Sequence, residues 1–140
     1  MRNYGLKNNS IGLIGEKMAI DYFNKAGYTF ICERYTGSVG EIDLIFSNEH
    51  KDDYRNVGGK LIFIEVKSTV LKSGQVLDGF DIASVVKKAQ VKRIIATMEE
   101  FTACNRDKYL DFQIQLDLFF LFMPKNKIIH IENISLDDLS

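Results

Sequence analysis

Two short apolar runs carry charged residues at strand spacing: Glu41 and Asp43 in residues 41–47, and Glu65 and Lys67 in residues 60–68. Side chains two apart in a strand share a face, so each run presents its charged pair on one side. If the two strands pair antiparallel across the polar residues 48–59, Asp43 and Glu65 meet at one end of the sheet. Carboxylates that close repel, and a hard divalent cation with oxygen ligands is the simplest way to keep both ionised. Mg²⁺ or Mn²⁺ is the natural candidate. Such an ion acidifies a coordinated water and neutralises charge that grows on a phosphodiester during cleavage, and a neighbouring Lys adds a second positive charge. A Glu-x-Lys step also suits the wet side of a hairpin. Against that, Leu61, Phe63 and Ile45 share the faces that carry the charges, and a charged group on a half-apolar face needs a partner or an ion.

The elements that would position these groups are legible in the apolar spacing. Residues 1–9 are polar and read as a frayed segment. From Ser10, a possible N-cap, Ile11, Ile14, Met18, Ala19, Tyr22, Phe23 and Ala26 fall at the three-four spacing of an amphipathic helix that Gly27 stops. Residues 28–35 and 41–47 then read as strands around a turn at residues 36–40. The second of these alternates Ile42, Leu44 and Phe46 against Glu41, Asp43 and Ile45. Residues 48–59 suit an exposed hairpin loop. In the strand of residues 60–68, Ile62, Ile64 and Val66 oppose Leu61, Phe63, Glu65 and Lys67. After a loop holding Gly74 and Gly79, a second helix over residues 83–102 carries Val86, Ile94, Met98 and Phe101 on its inner stripe, with Gln90 among them. Residues 112–123 and 127–132 form a last hairpin turned at residues 124–126. The order α-β-β-β-α-β-β predicts a single-domain α/β fold, a central mixed sheet flanked by helices.

Composition agrees with one domain. The chain has 140 residues, 46% of them apolar and 26% charged, enough to bury roughly 70% of the extended surface without disulfides or structural metal. Eighteen Lys and Arg against 19 Asp and Glu give a net charge of −1, which argues against a nucleic-acid coat protein but leaves room for a local basic groove. Lys87, Lys88, Lys92 and Arg93 crowd one segment. Cys32 and Cys104 lack metal-finger spacing and are expected to be reduced thiols. No apolar run approaches the roughly 18 residues of a membrane span, and no signal-peptide pattern opens the chain; a soluble, cytoplasmic protein is expected. Gly12 and Gly15 do not make a phosphate loop, because no strand precedes them. His50 and His130 have no nucleophile at motif spacing. Tyr4, Tyr28, Phe30 and Tyr35 are expected in the core rather than stacked on bases.

Four strings occur in order: Gly12-Leu-Ile-Gly15-Glu16-Lys-Met-Ala19, Gly27-Tyr28, Gly40-Glu41-Ile42-Asp43-Leu44-Ile45, and Phe63-Ile64-Glu65-Val66-Lys67-Ser68. Together they resemble the YraN-like family of small bacterial proteins, assigned to the PD-(D/E)xK, or restriction-endonuclease-like, superfamily. The turn Gly37-Ser38-x-Gly40 is also similar to that of archaeal Holliday-junction resolvases of the same superfamily. The resemblance covers nearly the whole chain and is most specific in its first half. It implies a nuclease-like domain over residues 10–135, followed by an acidic tail at 136–140.

By that resemblance, Asp43 and Glu65 match the two metal-binding acids, with the Val66 carbonyl as a further ligand, and Lys67 matches the Lys that orients or activates the attacking water. Glu16 matches an acid that completes the site in resolvase-like members. Glu41 and Ser68 are expected to support the site. Where the family has Lys-x-x-Arg-Leu on the second helix, this chain has Gln90-Val91-Lys92-Arg93-Ile94, so Gln replaces Lys. The family's Arg-Phe-Asp on the final hairpin appears as Gln115-Leu116-Asp117. Gln90 on an apolar stripe needs hydrogen-bond partners, either in the core or at the site. Lys87, Lys88 and Arg93 are expected to contact phosphates. The implied function is Mg²⁺- or Mn²⁺-dependent hydrolysis of DNA, structure-selective on branched or single-stranded forms. A resolvase-type action would require a homodimer. The alternative is a catalytically silent nucleic-acid-binding or protein-interaction module of the same fold.

Overall fold

The structure is a computed structural model describing residues 3–49, 59–72 and 82–139. The elements run α1 (Asn3–Lys25), β1 (Thr29–Thr36), β2 (Glu41–Asn48), β3 (Gly59–Val70), α2 (Ile82–Val85), α3 (Lys88–Cys104), α4 (Arg106–Tyr109), β4 (Phe112–Met123) and β5 (Lys127–Ile131), then a 3₁₀ turn at Leu136–Leu139. The strands lie in one mixed sheet in the order β1-β2-β3-β4-β5. All neighbours are antiparallel except β3 and β4, which run parallel. A parallel pair requires a crossover, and α2 to α4 lie within it. The expected α/β order is thus observed.

Central strands buried on both faces explain the long apolar runs of β3 and β4. On one face Ala19 and Phe23 of α1 pack on Leu44, Phe46, Ile62, Ile64, Phe119 and Leu121. On the other, Val91, Ile94, Met98 and Phe101 of α3 cover Ile45, Leu61, Phe63, Leu116, Leu118 and Phe120. The alternation of β3 therefore reads correctly: Glu65 is on the α3 side and Val66 on the α1 side. Tyr28, Phe30 and Tyr35 make ring contacts with Phe23, Phe46 and Phe101.

Several boundaries differ from expectation. Helix α1 begins at Asn3, so Ser10 lies within it and is no cap. The expected second helix is divided: α2 ends at Val85 and α3 starts at Lys88, because Lys87 adopts an extended backbone (φ −86°, ψ 141°). Val86 between them is still buried, which is why the apolar stripe gave no sign of the break. Ile42 joins Ile45 on the α3 side rather than Leu44 and Phe46. Residues 136–139 are more than a tail, since Leu136 and Leu139 pack against the core. Gly58, Gly74, Gly79 and His50 lie outside the described residues.

Candidate metal and nucleic-acid site

The irregularity of β2 has a local cause. Its paired register with β3 runs from Asn48↔Lys60 to Leu44↔Ile64. On its other side the register passes from Glu33↔Leu44 to Tyr35↔Ile42 across Arg34, whose φ of 53° is left-handed. Asp43 sits at this point. Its Oδ2 accepts the Val66 N–H at 2.8 Å, so a side chain satisfies a backbone donor just past the end of that register.

The sheet then brings Glu65 beside Asp43. Glu65 is 7% exposed, and its Oε1 accepts from Gln90 Nε2 at 3.0 Å and lies 3.5 Å from Lys67 Nζ. Burial raises the Asp43 carboxyl above its usual range, and the charge of Glu16 adds to this. Burial, then the neighbouring Asp43, pushes Glu65 up to about 8 despite Lys67. The two carboxyls share a hydrogen bond. Two acids in a poorly solvated notch with one ammonium beside them make an oxygen-rich donor set short of positive charge. That chemistry fits a hard divalent cation.

Glu16 approaches from α1. An added Cβ at Gly15 would coincide with Ser68 Oγ and lie 3.3 Å from Val66 Cγ1. Only glycine lets the helix press this closely on β3, and it places the next residue, Glu16, near Asp43. Ser68 Oγ is buried without a hydrogen-bond partner among the described residues. Glu16 Oε2 accepts from Arg34 Nη2 at 2.9 Å. Composition and periodicity did not single out Arg34; its only signal is the left-handed backbone, which the sequence does not display.

Helix α3 closes the other side. Gly37 lies against Thr97 and Glu100 and Gly40 against Thr97 and Arg93, and a Cβ at Gly40 would be crowded, 3.0 Å from Thr97 Oγ1 and 3.2 Å from the Arg93 carbonyl. Glu100 accepts the Ser38 N–H at 2.9 Å, docking the β1-β2 turn on the helix. Lys87, Lys88, Lys92 and Arg93 are exposed. Glu41 is exposed too, and no described contact joins it to Glu65.

The structure therefore brings Asp43, Glu65, Lys67 and Gln90 together, holds Glu16 nearby on Arg34, and leaves Lys88 and Arg93 exposed on the helix that bears Gln90 and Lys87 exposed just before it. A second group, Asp117, His130 and Glu132, has one potential ligand atom each within 4.8 Å of the others and could hold a metal ion. Asp117 is 1% exposed. It accepts from Gln115 Nε2 and the Asn133 N–H, both at 2.9 Å, and from His130 Nε2 at 2.7 Å. With Nε2–H directed at the carboxylate, His130 Nδ1 accepts from the Tyr22 hydroxyl at 3.1 Å. These bonds tie β4, β5 and α1 together without an ion. Among the described residues, no helix is long and apolar enough to cross a membrane.

Comparison with known proteins agrees with the motifs. The family model described as uncharacterised protein family UPF0102 matches residues 15–120. A UPF0102 protein of Ralstonia nicotianae is 35% identical over 92 residues, 66% of this chain and 63% of that protein, so the chain matches less than two thirds of that relative's length. UPF0102 proteins of Ehrlichia ruminantium and Campylobacter hominis are each 30% identical, over 91% and 94% of this chain and 85% and 99% of their own. The chain belongs to the uncharacterised protein family UPF0102, the YraN family that its four motifs resemble.

Proposed function

We propose that the protein is a divalent-cation-dependent nuclease acting on DNA phosphodiesters, selecting its substrate by structure. The observation that carries this reading is the meeting of Asp43, Glu65 and Lys67 where the β2–β3 register ends, with Gln90 on Glu65 and Glu16 close by. Asp43, Glu65 and the Val66 carbonyl would hold Mg²⁺ or Mn²⁺, which when bound supplies charge neutralisation and an acidified water. Lys67, 3.5 Å from Glu65, would orient the attacking water and stabilise charge on the phosphate. Gln90 fixes the Glu65 carboxyl. The amino end of α3 has no acid in its first turn and no side-chain cap from Lys87, so its partial positive charge adds to that of Lys87 and Lys88 where a phosphate backbone would lie.

The test is cleavage of labelled flapped, branched and single-stranded DNA with Mg²⁺ or Mn²⁺. Wild type is expected to cut at least one of them, while Asp43→Ala and Lys67→Ala do not. Equal cutting by all three proteins would refute the assignment.

One observation favours the second reading, a catalytically silent binding module: the acids are already satisfied within the protein, by each other, Val66 and Gln90. Melting separates the two, since a ligand that binds only the native state stabilises it. Millimolar Mn²⁺ raises the melting temperature of wild type and not of Asp43→Asn under the first reading. Salt-sensitive DNA binding with no Mn²⁺ shift supports the second.

A further inference from the structure

Arg34 stands in a conformation that its residue type does not favour. Left-handed backbone at a non-glycine residue costs about 1 kcal/mol or more and is tolerated best by Asn and Asp. Here it lies within an edge strand, between the pairs Glu33↔Leu44 and Tyr35↔Ile42 and so opposite Asp43. The guanidinium ends on Glu16 at 2.9 Å; the Arg34 side chain is 51% exposed and that of Glu16 is 15% exposed. Glu33 and Glu41 also act on it. The guanidinium at the rim is thus reachable from solvent, while the acid it holds is sheltered and lies close enough for its charge to be felt at Asp43.

We propose that Arg34 and Glu16 form an exchangeable ion pair: Arg34 holds Glu16 while the acidic site is empty of cation, and when Glu16 turns to a bound divalent cation, the freed guanidinium holds a phosphate of the nucleic acid. This deepens the function proposed above and rests on it. The chemistry is that of a planar fork donor exchanging one oxyanion for another, carboxylate for phosphate, for which Arg is suited and Lys less so. It makes cation and nucleic-acid binding mutually supportive, because each removes one partner of a pair that otherwise satisfies itself.

The test uses the full chain, with Mn²⁺ titrated by calorimetry and fluorescein-labelled branched DNA titrated by anisotropy in EDTA and in Ca²⁺. Arg34→Asn removes the charge but keeps a residue that accepts the left-handed backbone, and a thermal melt checks that the fold is retained. It is expected to bind Mn²⁺ severalfold more tightly, since Glu16 is released, yet to bind DNA in Ca²⁺ more weakly, with the slope of log affinity against log salt reduced by about 1. Glu16→Gln is expected to weaken Mn²⁺ binding severalfold, while DNA binding in EDTA holds or tightens and the gain on adding Ca²⁺ disappears. Arg34→Lys restores part of the salt slope. A merely structural Arg34 would weaken both ligands in Arg34→Asn or leave the slope unchanged, and either result overturns the proposal. Asp43→Asn distinguishes the two levels: if it binds Mn²⁺ as wild type does, the cation site itself is refuted and the exchange with it. If Asp43→Asn loses Mn²⁺ while Arg34→Asn shows no opposite effects, the exchange alone is refuted.

Discussion

Gly15 is the position where a single methyl group is predicted to reveal how α1 is held against the site. In an exposed helix, Gly→Ala stabilises by up to about 1 kcal/mol. At Gly15 the new Cβ would occupy the space of Ser68 Oγ, and even with that hydroxyl rotated away it would remain 3.2 Å from Ser68 Cβ and 3.3 Å from Val66 Cγ1. Overpacking of this kind costs roughly 1–3 kcal/mol, so Gly15→Ala is expected to lose about 1–2 kcal/mol net. Ser68→Ala removes a buried oxygen that has no hydrogen-bond partner among the described residues, so it is expected to be neutral or to stabilise by up to about 1 kcal/mol. In the double variant the overlap with the oxygen is gone and only the tight contacts with the Cβ of residue 68 and with Val66 Cγ1 remain, so most of the loss is expected to be recovered. Urea denaturation followed by circular dichroism, with the four proteins as a double-mutant cycle, is predicted to give a favourable coupling of about 1–2 kcal/mol. If Gly15→Ala is instead more stable than wild type and the two effects add, α1 does not press on Ser68 and the placement of Glu16 argued from that contact is wrong.

Further predictions concern charge. Glu65 and Asp43 have raised folded-state values, so the native chain holds protons that the unfolded chain has already released. In EDTA, stability from this pair is therefore present at low pH and falls as pH rises from about 4.5 to about 8. A melting series is predicted to show that decline in wild type, a flatter profile in Glu65→Gln, and recovery on adding Mn²⁺; an unchanged slope in Glu65→Gln would contradict it. His130→Ala strands the buried Asp117 carboxylate and removes the ring contact with Phe23 at 4.9 Å. A loss of about 3 kcal/mol or more is predicted by denaturant titration, and a loss under about 1 kcal/mol would show that Asp117 is held well enough by Gln115 and Asn133. Lys87→Ala combined with Lys88→Ala is predicted to flatten the salt dependence of DNA affinity by about 2, one phosphate contact each, with no change in Mn²⁺ affinity.

The strands were the readable part of this chain. In β3 a period of two assigned Ile62 and Ile64 to one face and Leu61 and Phe63 to the other, and that division holds, because a strand covered on both sides must still alternate. That period also put Glu65 on the face of Leu61 and Phe63, which the structure covers with α3 and where Gln90 meets it. The apolar stripe of the second helix was legible, but its break at Lys87 was not: Val86 stays buried on either side of a change in backbone that no glycine or proline marks. Ile42 was misassigned for a related reason. Alternation assumes a regular strand, and β2 lies against a left-handed residue in β1 just where its paired register with β3 ends.

Sequence alone determined the five strands, the two main helical stretches and their order, and the residue types able to bind a cation, since local periodicity and side-chain chemistry are written one residue at a time. The motifs also sufficed to point to the family. Tertiary structure decided which of those residues meet. It set Asp43 on the Val66 N–H, drew α1 onto β3 through the missing side chain of Gly15, and tied Asp117 to His130 and Tyr22. It also supplied Arg34, whose position beside Glu16 depends on one backbone angle and on contacts between elements distant along the chain. Burial works in the same way: Glu65 is an ordinary carboxyl in the sequence, and only the enclosing sheet and helix, with Asp43 pressed beside it, raise it far above its usual range.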